Sequence, residues 1–211
     1  MPGRPRDNQR GRTRKDLLHA AAALLREGRA PTLAEVAARA LVSRATAYRY
    51  FPSIDALLVE APIDGAVPDP AWLFADDPST DPEERVDRAE AALHRMVFAN
   101  EPQMRALLAH VVGRHDDDVP VRQNRRTDLI EAALEPARES LDPVVYERLC
   151  RALALVFGPE SMIVCRDVLG IDPEAARDVK SFAVRAMVRA ALSAPRDRGV
   201  APPLERAQQN S

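Results

Sequence analysis

Apolar side chains recur at helical spacing along most of this chain. Between Thr13 and Gly28, for example, Leu17, Ala21 and Leu24 follow an i, i+4, i+7 spacing and so form one apolar stripe. Thr13 is suited to begin that helix and Gly28 to end it. We find no alternating strand pattern and no internal repeat, so the pattern predicts an all-α protein.

Three short helices are predicted next from their start signals. In the segment Thr32-Leu33-Ala34-Glu35, the threonine hydroxyl can accept a hydrogen bond from the Glu35 amide while the carboxylate reaches back, which is a capping box. Ser43 and Ser53 are suited to cap the two helices that follow, and Pro52 separates them. The helices are thus expected at about 33–40, 44–51 and 54–60.

Residues 62–82 differ from their surroundings because they hold five prolines and five aspartates. We expect a linker here, and with it the boundary between two domains. Trp72, Leu73 and Phe74 within it are expected to dock on a neighbouring surface, since an exposed apolar group would favour aggregation. Beyond the linker, helices are predicted at about 83–99, 102–114, 121–139, 143–169 with an interruption at Gly158-Pro159, and 173–194.

Apolar residues make up 46% of the chain and charged residues 29%, which is typical of a soluble globular protein. No apolar run is long enough to span a membrane and no signal-peptide pattern opens the chain, so we expect a cytoplasmic protein without a membrane partner. Cys150 and Cys165 lie far apart and match no metal-binding spacing. They are expected to be reduced, buried thiols.

The net charge of −2 conceals an asymmetry along the chain. Residues 1–60 contain 11 Lys and Arg against 6 Asp and Glu, whereas the remainder contains 19 against 26. A basic N-terminal part suits a polyanionic partner. Residues 1–12 are predicted to form a disordered basic arm, and the Pro-, Arg- and Gln-rich residues 195–211 a disordered tail.

The short helices predicted at 33–40 and 44–51 are joined by a tight turn and cannot bury a core alone. Docked on the helix before them, they form a tri-helical head that places one helix in the DNA major groove. Val36 and Ala37 are expected to face inward on the first helix, and Ala47 on the second. Residues 13–61 are therefore predicted to be a helix-turn-helix DNA-binding domain.

The second of these helices supplies the candidate DNA contacts. Its N-terminal Arg44 is suited to a bidentate contact with guanine, worth about 1–3 kcal/mol of discrimination, and Ala45 is small enough to meet a thymine methyl. The hydroxyls of Thr46, Tyr48 and Tyr50 are predicted to contact phosphates. The alternative is that the aromatic residues of this helix belong to the core.

The stretch TLAEVAARALVSRATAYRYFPSIDALL, which begins at Thr32, resembles the DNA-binding head of the TetR/AcrR family of bacterial regulators. The resemblance implies that Arg4 and Arg6, in the Gly-Arg-Pro-Arg of the arm, enter an adjacent minor groove. Thr32 and Ser43 are expected to join the phosphate contacts. The residues that match the family pattern are Thr32, Val36-Ala37, Val42-Ser43, Thr46, Tyr48, Phe51, Ser53 and Leu57-Leu58.

By the same resemblance, residues 83–194 form a helical bundle that pairs two protomers and encloses an effector pocket. The protein is then a homodimer on a roughly palindromic DNA operator. The late apolar segments are the expected dimer interface, although they could form only the internal core; their faces include Leu149, Leu153, Val156, Ile163, Val179, Phe182, Ala186 and Val188. The candidate pocket residues are Met96, Phe98, Met104, Leu107, His110 and Phe157.

These features favour a transcriptional regulator, with a repressor released by a small-molecule effector as the first hypothesis. A regulator without such an effector is the alternative, and a filled bundle core would favour it. A general DNA-coating protein would bind random and operator DNA equally. A helical enzyme domain fused to the head is not expected, because the chain has no Gly-x-Ser-x-Gly elbow, phosphate loop or His-Glu-x-x-His motif. No cofactor is expected, and His94, His110 and His115 lack the i, i+4 spacing of a metal site.

Two positions depart from the family pattern. The turn residue that is usually glycine is Leu41, which implies either a strained left-handed backbone or a turn that avoids positive φ. The residue after Ser53, usually lysine, is Ile54, so one phosphate contact is expected to be missing.

Replacing Ile54 by lysine is expected to supply that missing contact. The logarithm of the DNA association constant should then fall more steeply with the logarithm of the salt concentration, by a slope change of about 0.9 for one added phosphate contact. Titrations of one DNA duplex at several salt concentrations measure this slope, and equal slopes for the wild type and I54K would contradict the prediction.

Overall fold

The computed structural model describes residues 5–111 and 125–194, with residues 5–10, 110 and 111 described by their backbone alone. Within these ranges the chain is all-α, as predicted, and contains no strand. A 3₁₀ turn at Glu135–Ala137 and a π-helical turn at Val164–Val168 accompany the α-helices. The α-helices are α1 Pro5–Arg26, α2 Leu33–Arg39, α3 Arg44–Tyr50, α4 Ile54–Ala66, α5 Pro70–Leu73, α6 Pro82–Ala99, α7 Glu101–Val111, α8 Arg126–Leu134, α9 Pro143–Val156, α10 Pro159–Ile163 and α11 Pro173–Leu192.

Aspartate–proline pairs begin several helices. Asp81 caps α6, Asp142 caps α9 and Asp172 caps α11, each by accepting a hydrogen bond from a backbone N–H of the first turn. The proline that follows each aspartate has no N–H to leave unpaired at the first helical position. The starts of these three helices are therefore fixed by local chemistry.

The prediction of a disordered arm is wrong for residues 5–12, because α1 begins at Pro5 rather than at Thr13. Proline is favoured at the first helical position, and no second proline interrupts the residues that follow it. The basic segment therefore belongs to a helix of 22 residues.

The predicted linker at residues 62–82 is also partly helical. Helix α4 continues through Pro62 to Ala66, and α5 follows within the same segment. A proline inside a helix costs about 3 kcal/mol or more, because it removes one hydrogen bond and crowds the preceding turn. Ile63, on the far side of the proline, is only 2% exposed, and its burial offsets part of that cost.

Trp72 does not dock on a neighbouring surface as predicted, whereas Leu73 and Phe74 do. The indole of Trp72 is 84% exposed, while Leu73 and Phe74 pack against the core of the C-terminal helices. The guanidinium of Arg85 lies 4.2 Å from the centroid of the Phe74 ring. Successive residues of a helix point in different directions, so the three side chains cannot all face one surface.

Two hydrophobic cores organise the described chain. The first lies among α1–α4, which we call the head, and includes Leu57 and Ala61 of α4. The second includes Ile63 of α4 and residues of α6–α11, which we call the bundle. Helix α4 thus contributes its first half to one core and its second half to the other, and it connects the two physically.

Three residues predicted for a dimer interface belong to the bundle core instead. Leu149 and Leu153 on α9 and Val188 on α11 are at most 4% exposed. They lie on the inward faces of their helices, which a partner protomer cannot reach. Val179 and Phe182, predicted for the same interface, do lie on an exposed face of α11.

The predicted interruption at Gly158-Pro159 separates α9 from α10. Gly158 has a φ of 116°, which an L side chain rarely adopts. A Cβ atom at this position would also lie 2.9 Å from Nη2 of Arg126. The backbone conformation therefore requires glycine, whereas the Arg126 side chain could shift to make room, and Pro159 then begins the next helix.

Charged residues pair between α6 and α11 inside the bundle. Glu90 and Lys180 form a salt bridge although they are 0% and 3% exposed, and Asp87 accepts a hydrogen bond from Arg177. Burial, with the nearby charge of Lys180, lowers the pKa of His94 to about 4, so its imidazole is neutral at pH 7. The Glu90–Lys180 and Asp87–Arg177 pairs offset the loss of hydration that buried charges suffer.

The two cysteines are free thiols, Cys150 half-buried and Cys165 buried, and burial raises the pKa of both. No helix among residues 5–111 and 125–194 is long and apolar enough to cross a membrane.

Candidate DNA-binding interface

The head packs as a tri-helical unit around small residues. Val36 and Ala37 of α2 and Ala47 of α3 are at most 1% exposed, as the sequence predicts. Val42, in the turn between the two helices, packs against the same core. Because alanine occupies facing positions on α2 and α3, the backbones of the two helices can approach closely.

The turn after α2 is left-handed at Leu41, which has a φ of 57°. The N–H of Leu41 donates to the carbonyl of Ala38, and the N–H of Val42 donates to that of Ala37, which is the Schellman pattern. Leu41 is 92% exposed, so its side chain gains no burial in this conformation. Of the two alternatives for this turn, the structure shows the strained left-handed backbone.

Helix α3 begins with a cap that also arranges two hydroxyls. Ser43 accepts a hydrogen bond from the N–H of Thr46 at 3.0 Å, and the two side-chain oxygens lie 2.8 Å apart. Both residues stand at the N-terminus of α3, where the helix dipole favours negative charge. This end of the helix is therefore suited to meet a phosphate.

The outward face of α3 carries the predicted base-reading residues. Arg44 and Ala45 are exposed in its first turn, and Tyr48 is 57% exposed one turn later. Arg49 is exposed on the same side and was not predicted as a contact. Its position, four residues after Ala45, is the sequence signal that would have identified it.

Tyr50 is a correction to the predicted phosphate contacts. Its side chain is only 3% exposed, in the head core beside Phe51, which is 1% exposed. Tyr50 lies three residues after the buried Ala47 and so falls on the inward face of α3. The core alternative is the one that the structure supports for both aromatic residues, and the phenol of Tyr50 cannot reach a phosphate.

The predicted capping box at Thr32 is present and occupies both of its donors. The N–H of Thr32 donates to Oε2 of Glu35 at 2.8 Å, and the Thr32 hydroxyl donates to the same oxygen at 2.9 Å. These hydrogen bonds from Thr32, with the charge of Arg29, lower the pKa of Glu35. In this arrangement Thr32 orients α2 and has no donor directed outward to a phosphate.

Arg14 is a buried residue that sequence reasoning missed. It is 5% exposed, and its Nη1 donates to the carbonyl of Tyr50 at 3.1 Å, at the C-terminal end of α3. Its guanidinium also lies 4.2 Å from the centroid of the Phe51 ring and pairs with Glu60 of α4. The residue lies within a run of basic residues, so no local signal distinguished it from a surface arginine.

The structure describes the predicted arm residues Arg4 and Arg6 only in part. Arg4 lies outside the described residues, and Arg6 lies in the first turns of α1, where only the backbone is described. Their predicted minor-groove role therefore stays a prediction.

The predicted effector pocket is nearly filled. Among the described residues, a cavity of about 30 Å³ lies in the bundle, with Met96, Met104 and Leu107 in its wall. This volume holds about one water molecule, whereas small-molecule pockets usually exceed about 300 Å³. Arg125 and Arg126 line the same cavity.

Phe98 and Phe157, also predicted for the pocket, do not line that cavity. Phe157 is fully buried in the bundle core, and the Phe98 ring stacks 4.3 Å from the imidazole of His94. The side chain of His110 and the whole of His115 lie outside the described residues. Within the described ranges, no group of three or more His, Cys, Asp or Glu side chains could hold a metal ion.

Comparisons with known proteins agree with this geometry. Residues 17–61 match the family model of bacterial regulatory proteins of the tetR family. The fold is similar to the crystal structure of a TetR transcriptional regulator from Rhodococcus sp. RHA1, with a TM-score of 0.53 and 21% identity over 84% of this chain and 96% of that chain. No curated protein matches the chain in sequence.

Replacing Leu41 by glycine is expected to stabilise the protein. Relief of the left-handed strain, reduced by the extra freedom of glycine in the unfolded chain, should raise the free energy of unfolding by about 0.5–1 kcal/mol. Ala40→Gly is the matched control, because Ala40 has a φ of −80° and should lose stability on the same change. Urea unfolding measures both variants, and a destabilised L41G would contradict the prediction.

Proposed function

Because residues 17–61 match the family model of bacterial regulatory proteins of the tetR family, we propose that this chain is a regulator of that family, a cytoplasmic bacterial repressor that binds a roughly palindromic operator as a homodimer. The observation that carries the proposal is the exposed face of a capped α3. On that face, Arg44 lies at the helix N-terminus beside Ala45 and Thr46. The opposite face of the helix is buried in the head core.

We assign separate roles to the residues of this face. Arg44 contacts a guanine in the major groove, and Ala45 meets a thymine methyl. Ser43, Thr46 and Tyr48 contact phosphates and fix the register of the helix on the duplex.

Arg49 extends the set of phosphate contacts, since it is exposed on the same side of α3. Arg4 and Arg6 enter the adjacent minor groove. Thr32 and Tyr50 act within the head, the first as a cap and the second as a core residue.

An exposed apolar face on the bundle supports the homodimer. Phe182 on α11 is 77% exposed, and Val179 and Ala186 lie on the same side of that helix. Leu155, on the neighbouring α9, is also 77% exposed. Large exposed apolar side chains on neighbouring helices are costly in water and are typical of a protein–protein interface. Pairing these helices with their copies would form a four-helix interface and set two heads on two half-sites.

The second candidate function is regulation without a small-molecule effector. The cavity of about 30 Å³ favours it, because the space beside Met96, Met104 and Leu107 is too small to receive a small-molecule effector. The effector-released repressor instead requires the walls at Met96, Met104 and Leu107 to move apart.

Replacing Arg44 by alanine tests the base-reading assignment. Genomic fragments selected with the purified protein define an operator, on which R44A should lose about 1–3 kcal/mol of binding free energy and discriminate less at one base position. Arg95→Ala, on an exposed arginine of α6, is the control that should leave DNA binding unchanged. If R44A weakened all sequences equally, Arg44 would be a phosphate contact; if the wild type preferred no sequence, the proposed function would be wrong.

Replacing Phe182 by glutamate tests the dimer. A charge in the centre of the apolar face should make the protein sediment as a monomer and lose about 10²-fold or more in operator affinity, because two linked heads bind far more tightly than one. Trp72→Glu is the matched control on an exposed aromatic residue outside that face. A dimeric F182E would contradict the proposed interface.

A further inference from the structure

Four charged side chains meet where α1, α4 and the start of α8 come together. We call Arg14, Glu60, Asp64 and Arg125 the junction cluster. The side chains of Glu60 and Asp64 are 1% and 7% exposed, and those of Arg14 and Arg125 are 6% and 12% exposed. Two positive and two negative charges are thus buried together between the head and the bundle.

Glu60 is shared by two arginines from different parts of the molecule. Arg14 of the head pairs with it through Nη2 and Oε2, while Arg125, which precedes α8 of the bundle, donates from Nη2 to Oε1 at 2.9 Å. Arg14 also holds the carbonyl of Tyr50 at the end of α3. A continuous chain of polar contacts therefore runs from the bundle to the DNA-reading helix.

Arg125 contacts α4 at two points that lie one turn apart. Besides Glu60, its Nε donates to Oδ1 of Asp64 at 2.8 Å. Pro62 lies between these two carboxylates and has no N–H, so the carbonyl of Leu58 loses its usual donor within the helix. The guanidinium therefore spans the turn of α4 in which the backbone ladder is interrupted.

This turn is also the place where α4 passes from one core to the other. Ala61 packs in the head core, and Ile63 packs in the bundle core. A bend of α4 at Pro62 would consequently change the orientation of the head relative to the bundle, while leaving each core intact.

We propose that Arg125 is a positioning residue for DNA recognition, whose guanidinium splints α4 across Pro62 and so fixes the orientation of α3 relative to the bundle. The inference rests on the proposed function, since it concerns how two heads reach two half-sites. Arg125 touches no DNA; it acts through Glu60 and Asp64 on α4, and through Arg14 on α3.

Arg125→Met on the dimer tests the inference, with Arg126→Met as the matched control. Arg126 is the next residue, but among the described residues its guanidinium bonds within the bundle, to the carbonyl of Ala154 and the carboxylate of Glu160. R125M should bind a duplex with two half-sites about 10-fold more weakly than the wild type, because loosely oriented heads lower the effective concentration of the second contact. Its affinity for a duplex with one half-site should change less than about 2-fold, and R126M should match the wild type on both duplexes.

A double-mutant cycle with Pro62→Ala separates splinting from a general loss of stability. Alanine restores the backbone donor at position 62, so the effect of R125M on the two-half-site duplex should shrink to about 3-fold or less in that background. An undiminished effect in P62A, an equal loss on both duplexes, or an equal loss in R126M would overturn the proposal. If R125M does not fold, Arg125→Lys, compared with Arg126→Lys, should show the same pattern with about a 3-fold loss.

A distance measurement keeps this inference separate from the proposed function. Spin labels at Leu41→Cys on the head and Glu139→Cys on the bundle, in a Cys150→Ser, Cys165→Ala background diluted with unlabelled protein, report the head orientation without DNA. The distance distribution should broaden in R125M and stay narrow in R126M. An unchanged distribution in R125M would overturn the splint even if the protein binds DNA, whereas a wild type that binds no DNA would overturn only the proposed function.

Discussion

The carboxylate of Glu60 is almost completely buried, and burying a carboxylate is costly unless positive groups replace its lost hydration. Arg14 supplies one such group from the head and Arg125 supplies the other from the bundle. Neither half of the molecule can satisfy Glu60 fully without the other. A chain of ionic and hydrogen-bonded contacts thus joins the bundle to the C-terminal end of α3, on the side away from its exposed face.

The outward face of α3 stays exposed because the opposite face of the helix packs into the head core. Ala47, Tyr50 and Phe51 bury one side of the helix, and this leaves Arg44, Ala45 and Tyr48 directed outward. The turn that sets the angle between α2 and α3 is held in a left-handed conformation at Leu41, although glycine would adopt it at lower cost. The surrounding hydrogen bonds and the packing of Val42 keep this conformation in place.

The bundle combines a small internal cavity with large apolar side chains exposed on its surface. Its described cavity is about the size of one water molecule, whereas Phe182 and Leu155 stand in solvent on neighbouring helices. Burying this outer face would lower the free energy of the protein far more than filling so small a cavity could.

Sequence alone determined the features that depend on neighbouring residues. The caps at Ser43, Asp142 and Asp172, the break at Gly158 and the small residues between α2 and α3 all follow from local hydrogen bonds, backbone limits and helical periodicity. The helical spacing from Ala47 also predicts that Tyr50 is buried, although the hydroxyl of a tyrosine by itself favoured a phosphate contact. Only the tertiary structure decided that α4 continues through Pro62, and that Arg14 and Glu60 form a buried pair 46 residues apart along the chain. The reason is physical: a proline or a charge has an unfavourable local free energy in such a place, and only partners that are distant in sequence can offset it.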